Sequence, residues 1–180
     1  GVADVDDICP GGDDLIDVNN DGTPDFCEQD CYIAGCDTSE YIRDFVGIDF
    51  VLISQLTDPL ERYTLADSFY MMTTEVTQAM FEQVMGYAPH EGQTNYGVGG
   101  NYPAYYVSWN MAAHFANTLS EMKGEQQCYT CSGTGTAVTC SQTVEPLECS
   151  GYSLPSDDQW ELAARSGTTM EFWTGNGSDL

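Results

Sequence analysis

Three stretches of the chain carry apolar residues at helical spacing. In residues 74–86, Val76, Ala79, Met80, Val84 and Met85 recur three or four apart and predict an amphipathic helix. Thr73 or Thr74 is placed to cap its start and Gly86 its end. In residues 108–123, Ala112, Ala113, Ala116, Leu119 and Met122 form a similar stripe between Ser108, an N-cap candidate, and Gly124, a stop. In residues 156–166, Ser156 with Gln159 reads as a capping box, and Asp157 and Asp158 favour the positive helix start. Trp160, Ala163 and Ala164 are the expected inward face there, ahead of Gly167. Residues 49–54, 63–73 and 105–107 read as short extended segments. Two long connections, 86–104 and 124–151, are rich in Gly, Asn, Tyr or Cys. Connections of that length inside a domain usually carry binding function or are tied down. Cysteines tie the second; nothing visible in the sequence ties the first. The pattern is α+β with little regular sheet.

Charge divides the chain. Of 180 residues, 29 are acidic and 4 basic, for a net charge of -25. Arg43, Arg62, Lys123 and Arg165 are too few for a nucleic-acid grip built on phosphate contacts. Adsorption to anionic membranes is disfavoured for the same reason, and no apolar run approaches a membrane span. The first 40 residues hold 12 acidic residues, no basic one, and few large aliphatic side chains. Such a segment buries too little to fold on a core, so ions or disulfides must order it. Residues 1–40 are therefore expected to form an acidic segment and residues 41–180 the globular domain, with 124–151 as a Cys-rich insertion. No basic-then-apolar leader opens the chain, so Gly1 reads as a mature or internal start.

The eight cysteines fall into two groups, Cys9, Cys27, Cys31, Cys36 and Cys128, Cys131, Cys140, Cys149. An even count in a Lys-poor, acidic chain reads as a disulfide framework in an exported protein, extracellular, periplasmic or at the cell surface. Zinc is the alternative for the second group, because Cys128 and Cys131 form a C-x-x-C, although no second such knuckle follows. Four cysteines allow three pairings, and spacing does not choose among them.

Calcium is the expected ion of the acidic segment. Residues 17–28, DVNNDGTPDFCE, place side-chain oxygens at Asp17, Asn19, Asp21, Asp25 and Glu28, with Gly22 at the sharp turn and the Thr23 carbonyl free to face inward. Alternate residues of a tight loop converge on one centre, and a hard cation with several oxygen ligands offsets the repulsion among them. No amphipathic helix precedes Asp17, and Pro24 follows Thr23, so a true EF-hand is disfavoured. Gly1, Asp4 and Asp7 repeat the spacing of Gly22, Asp25 and Glu28, which adds Asp4 and Asp7 as ligand candidates. The segment resembles thrombospondin type 3 repeats, irregular modules built on calcium. That resemblance implies a Cys9–Cys27 pair and a chain that opens partway through a repeat.

Four motifs in the globular part appear in a recognisable order: FVLIS, then YTLADSFYMMTTEVTQAMFEQVMG, then NYPAYYVSWNMAAHFANTLSE, then GYSLPSDDQWELAARSG. Together they resemble the formylglycine-generating enzyme family, or sulfatase-modifying factor domain, over about residues 45–176. Glu75–Thr77, the step from Pro103 to Trp109, and the run from Leu154 to Gly167 match its signatures. Ser156, Asp158 and Gln159 depart from its usual residues, and Ser153 stands where Arg is common. The resemblance implies a C-type-lectin-related α+β fold with low regular secondary structure, here truncated. It also implies that CYTCSGTGTAVTC is an insertion of the kind found in exported bacterial members. In oxidase members two cysteines bind copper and convert a sulfatase cysteine to formylglycine. No position here matches either, so no residue is assigned a catalytic role, and copper is expected only in a longer oxidase.

Other chemistry is sparsely signalled. His114, on the second predicted helix, reads as a surface or partly buried helix residue. His90 lies in a Gly-rich loop beside Glu91, with no nameable metal partners. No nucleophile elbow or phosphate loop occurs. Tyr96, Tyr102, Tyr105 and Tyr106 read either as a ligand-contact surface or, more commonly for such residues, as loop packing. Three functions follow: a binding or surface-architecture domain on a calcium stalk, a truncated copper oxidase, or a lectin-like display module. A binding module would take a protein or glycan ligand.

Overall fold

Short polar side chains start each helix. The computed structural model describes residues 41–44, 46–54, 56–90 and 92–170. Helix α1 spans Gln78–Met85, α2 Trp109–Lys123 and α3 Asp157–Arg165. Ser108 Oγ accepts from the Met111 N–H at 3.3 Å. Ser156 and Gln159 complete the capping box, each side chain accepting from the other's backbone N–H. Gly86 and Gly124 end α1 and α2. Helix α1 begins later than its pattern predicts. Thr77, not Thr73 or Thr74, is the cap, because Val76 and Thr77 are drawn into backbone pairing with residues 103 and 104.

Among the described residues, those up to Leu52 and those from Ile53 onward form two compact units. In the first, strand β1 (Tyr41–Arg43) pairs antiparallel with β2 (Asp49–Ile53), whose last residue opens the second unit. Asp44 shapes their turn, accepting from the Val46 and Ile48 N–H groups at 3.0 and 2.8 Å. Arg43 and Asp49, opposite in register, form a two-pronged ion pair.

In the second unit, β3 (Phe69–Met72) precedes α1, and β4 (Tyr129–Ser132) and β5 (Thr139–Gln142) form an antiparallel hairpin after α2. Phe81 of α1 stacks on Phe115 of α2 with ring centroids 5.6 Å apart, and Tyr87 meets the Phe81 ring edge-on. Burying a ring of this size contributes about 2–3 kcal/mol. Ala113 and Ala116 pack on Cys128 and Tyr129, with Cys131, Cys140, Cys149, Tyr152 and Leu154 around them.

Polar residues of α2 fasten the insertion. Asn117 donates to the Tyr129 carbonyl at 2.7 Å and accepts from the Tyr129 N–H at 3.1 Å. Asn110 accepts from the Cys140 N–H, and Ser120 Oγ from the Tyr152 N–H. The Tyr129 hydroxyl in turn accepts from the Leu154 N–H. The 124–151 stretch, expected as a loop, is thus a hairpin laid on α2.

Several predicted faces shift. In α1 the buried residues are Gln78 and Phe81, and Ala79 is exposed. In α2, Met111, Phe115, Asn117 and Ser120 join the core, and Met122 is exposed. In α3, Gln159 and Leu162 are buried, while Trp160 is 62% exposed and Ala164 faces solvent. Arg62, paired with Glu161, and the Tyr63 hydroxyl, donating to the Asp158 carbonyl, tie α3 to residues 56–65 in that orientation. Residues 105–107 form no strand, because Tyr106 adopts left-handed backbone, φ 59°.

Candidate functional site

The long loop before α2 is held by one buried side chain. Gln78, the first residue of α1, is 4% exposed. Its amide nitrogen donates to the Gly97 and Pro103 carbonyls, both at 3.2 Å, and its oxygen accepts from the Gly99 N–H at 3.1 Å. The loop returns the favour to the helix start. The Gln78 N–H donates to the Tyr102 carbonyl and the Ala79 N–H to the Gly100 carbonyl, so two N–H groups that a helix cannot satisfy internally are met. The Ala104 N–H reaches back to the Val76 carbonyl. Sequence reasoning missed this clamp. Its one signal was a glutamine three residues before Phe81, on the face that packs inward.

The clamp presents tyrosines. Tyr96 is 69% exposed, Tyr106 54% and Tyr102 51%, with Val98 also exposed. The rings of Tyr96, Tyr105 and Tyr106 lie within 5.4–6.3 Å of one another and are steeply inclined, at 57–79°. Tyr105 is anchored by its hydroxyl, which donates to the Gln93 carbonyl at 2.9 Å. His90 is buried with its ring 5.1 Å from that of Tyr105. Tyr102 packs its ring over Gly97, φ 90°, where a Cβ would come within 2.6 Å of the ring carbons. A side chain at Gly97 would therefore displace Tyr102 as well as strain the backbone. No Lys or Arg occurs between Arg62 and Lys123, so the loop itself contributes aromatic rings and no fixed positive charge.

The remaining candidates resolve into structure. Cys128 pairs with Cys149, and Cys131 with Cys140, its directly opposite neighbour in the β4–β5 register. Zinc is thereby excluded for this group: its four sulfurs are spent in two disulfides. For the same reason none of the four offers a thiolate to copper. Among the described residues no cysteine is free and no cluster of three His, Cys, Asp or Glu suits a metal ion. His114 is half-buried on α2. The calcium candidates Asp4, Asp7, Asp17, Asn19, Asp21, Thr23, Asp25 and Glu28, and Cys9, Cys27, Cys31 and Cys36, lie outside the described residues. No helix among the described residues is long and apolar enough to cross a membrane.

A charged cluster unannounced by any motif joins residues 56–65 to α3. Asp58, buried within that turn, takes Arg62 Nε at 2.7 Å and Nη2 at 2.9 Å. Arg62 also meets Glu161 at 2.9 Å, and Arg165 meets Glu161 at 2.8 Å. The Arg62 hydrogen bonds, working against burial, hold the Asp58 carboxyl down to about 2. Hydrogen bonds from Arg165 and then Arg62 depress Glu161, and those carboxylates raise Arg62. Every charge there has a partner, so the cluster is a fastening rather than an acid–base pair.

Known proteins agree with this architecture. No curated protein matches the chain. Among solved structures, the Treponema denticola variable protein 1 matches with a TM-score of 0.53 and 23% identity, covering 73% of this chain. The chain spans 59% of that protein's length, and at this identity the likeness is one of fold. The mixed helices and small sheets fit that α+β architecture. The family model described as the sulfatase-modifying factor enzyme 1-like domain matches residues 38–179. By that match over most of its length, the chain belongs to the FGE-sulfatase, or sulfatase-modifying factor, family.

Proposed function

We propose that this chain is a binding domain, displayed outside the cytoplasm on a calcium-braced acidic segment. The tyrosine face carries the reading. Tyr106 holds a left-handed backbone that suits glycine or asparagine far better than an aromatic residue, yet its ring is more than half in water. A strained, exposed aromatic contributes little to the fold and is best accounted for by what it touches. The two disulfides support an oxidising compartment. The alternative, part of a copper oxidase, draws on the family resemblance alone.

Replacing Tyr106 by asparagine tests this. Relief of strain is expected to leave stability unchanged or raise it by about 0.5–1 kcal/mol. Urea unfolding measures the change. A loss above about 1.5 kcal/mol would show that the tyrosines are loop packing, and the binding role would fall.

The acidic segment has its own test. Titration calorimetry of the full chain is expected to show calcium binding tighter than about millimolar, with loss of heat in the Asp21→Asn/Asp25→Asn variant. Equal heats from both proteins would remove residues 17–28 as the site.

A further inference from the structure

We infer that the tyrosine face receives a cationic polypeptide segment, one carrying exposed Arg or Lys side chains; this rests on the binding role proposed above and names the partner's chemistry. Two independent observations point the same way. The first is the geometry of the rings. Tyr96, Tyr105 and Tyr106 stand at steep mutual angles with centroids 5.4–6.3 Å apart, and the exposure of Tyr96 and Tyr106 leaves ring surface of both in solvent. The face of a phenol ring is the negative part of its quadrupole and attracts a guanidinium or ammonium group within about 6 Å. Rings inclined to one another offer such a group more than one face. The clamp by Gln78 and the Tyr105 anchor to Gln93 fix the rings before the partner arrives, which lowers the ordering cost of binding.

The second observation is charge. The chain carries -25 overall, and residues 41–180 alone hold 17 acidic against 4 basic residues. Its basic side chains that approach aromatic rings, Arg62 on Tyr63 and Lys123 on Tyr152, do so away from this loop. Neither of these contacts falls on the tyrosines of this loop. The field of the whole molecule steers a basic partner inward and turns an acidic one away. A neutral glycan would use the rings but gain nothing from the field.

A blocked peptide of alternating Arg and Gly serves as the probe, titrated by calorimetry into the full chain at physiological salt. The matching peptide with citrulline for Arg keeps shape and hydrogen bonding but removes the charge. Binding is expected for the Arg peptide and at least about tenfold weaker for the citrulline peptide. The Tyr96→Ala/Tyr106→Ala variant should weaken the Arg peptide about tenfold, and Tyr96→Phe/Tyr106→Phe should retain it, since phenylalanine keeps the ring face. Circular dichroism confirms that both variants are folded. Equal binding of the Arg peptide by wild type and the alanine variant would overturn the inference, because the acidic surface alone would then hold it. Equal binding of the two peptides, or no binding of the Arg peptide, would also overturn it. None of these outcomes touches the binding role itself, which stands or falls on the stability of the Tyr106→Asn variant.

Discussion

Replacing Cys128 and Cys149 together by alanine is expected to lower the unfolding free energy by about 3 kcal/mol and the thermal midpoint by about 10 °C. The pair closes a loop with a sequence separation of 21, and the Cys131–Cys140 bridge, with a separation of 9, is nested within it. Cutting the outer bond frees the longer stretch of unfolded chain, so its loss should exceed that of the Cys131→Ala/Cys140→Ala variant. Location adds to length. Cys128 is fully buried beside Ala113, Ala116 and Tyr129, whereas Cys131 and Cys140 are only partly buried and already paired through the strands. Alanine replaces the buried sulfur without adding an unsatisfied hydroxyl. Urea denaturation without reductant measures both variants. Helical content should persist, because α1 and α2 meet through Phe81 and Phe115. A smaller loss for the outer pair than for the inner one would contradict this ordering.

The insertion also shows what the sequence pattern could and could not carry. Cysteine count and compartment logic led to disulfides, but four cysteines permit three pairings, and only the hairpin register put Cys131 opposite Cys140. The helix starts at Ser108 and Ser156 were legible because capping is a local matter of one hydroxyl and one N–H. The fastening residues were not. Asn110, Asn117 and Ser120 fall outside the predicted apolar stripe of α2, yet they bond to backbone groups of the hairpin and of Tyr152 after it. A hydrophobicity pattern scores such residues as solvent-facing, because the partners that satisfy them lie elsewhere in the chain.

The same blindness explains the site. Tyr96, Tyr102, Tyr105 and Tyr106 were visible as a group, but packing and presentation differ only in where the rings end up. Gln78 decides that, and a lone glutamine at a helix start carries no motif. Trp160 is the converse case. It was expected on the inward face, but α3, tied to residues 56–65 through Arg62–Glu161 and the Tyr63 hydroxyl, buries Gln159 and Leu162 instead. Polar ties to residues 56–65 thus hold the geometry of α3 alongside the burial of Leu162.

That geometry turns on Asp58, and its replacement by asparagine is expected to lower the thermal midpoint at neutral pH by at least about 5 °C. The side chain is wholly buried, bonded to Arg62 through both oxygens, and 3.9 Å from Arg165 Nε. An amide cannot balance two guanidinium groups, and its N–H donors would face theirs. The acid behaviour follows from the direction of the shift. Asp58 titrates at about 2 in the fold against an ordinary value of 3.8, so the folded chain binds fewer protons than the unfolded one between those values. Its stabilisation is complete above pH about 4 and is lost as pH falls through about 2. Glu161, also held low, acts in the same sense. The gap between wild type and Asp58→Asn should therefore be widest at neutral pH and narrow toward pH 2, where about half of the Asp58 carboxyl is protonated in the fold. Thermal melts of both proteins from pH 7 to pH 2 measure the gap. A gap that stays constant across that range would mean that the carboxylate's charge is not what binds residues 56–65 to α3.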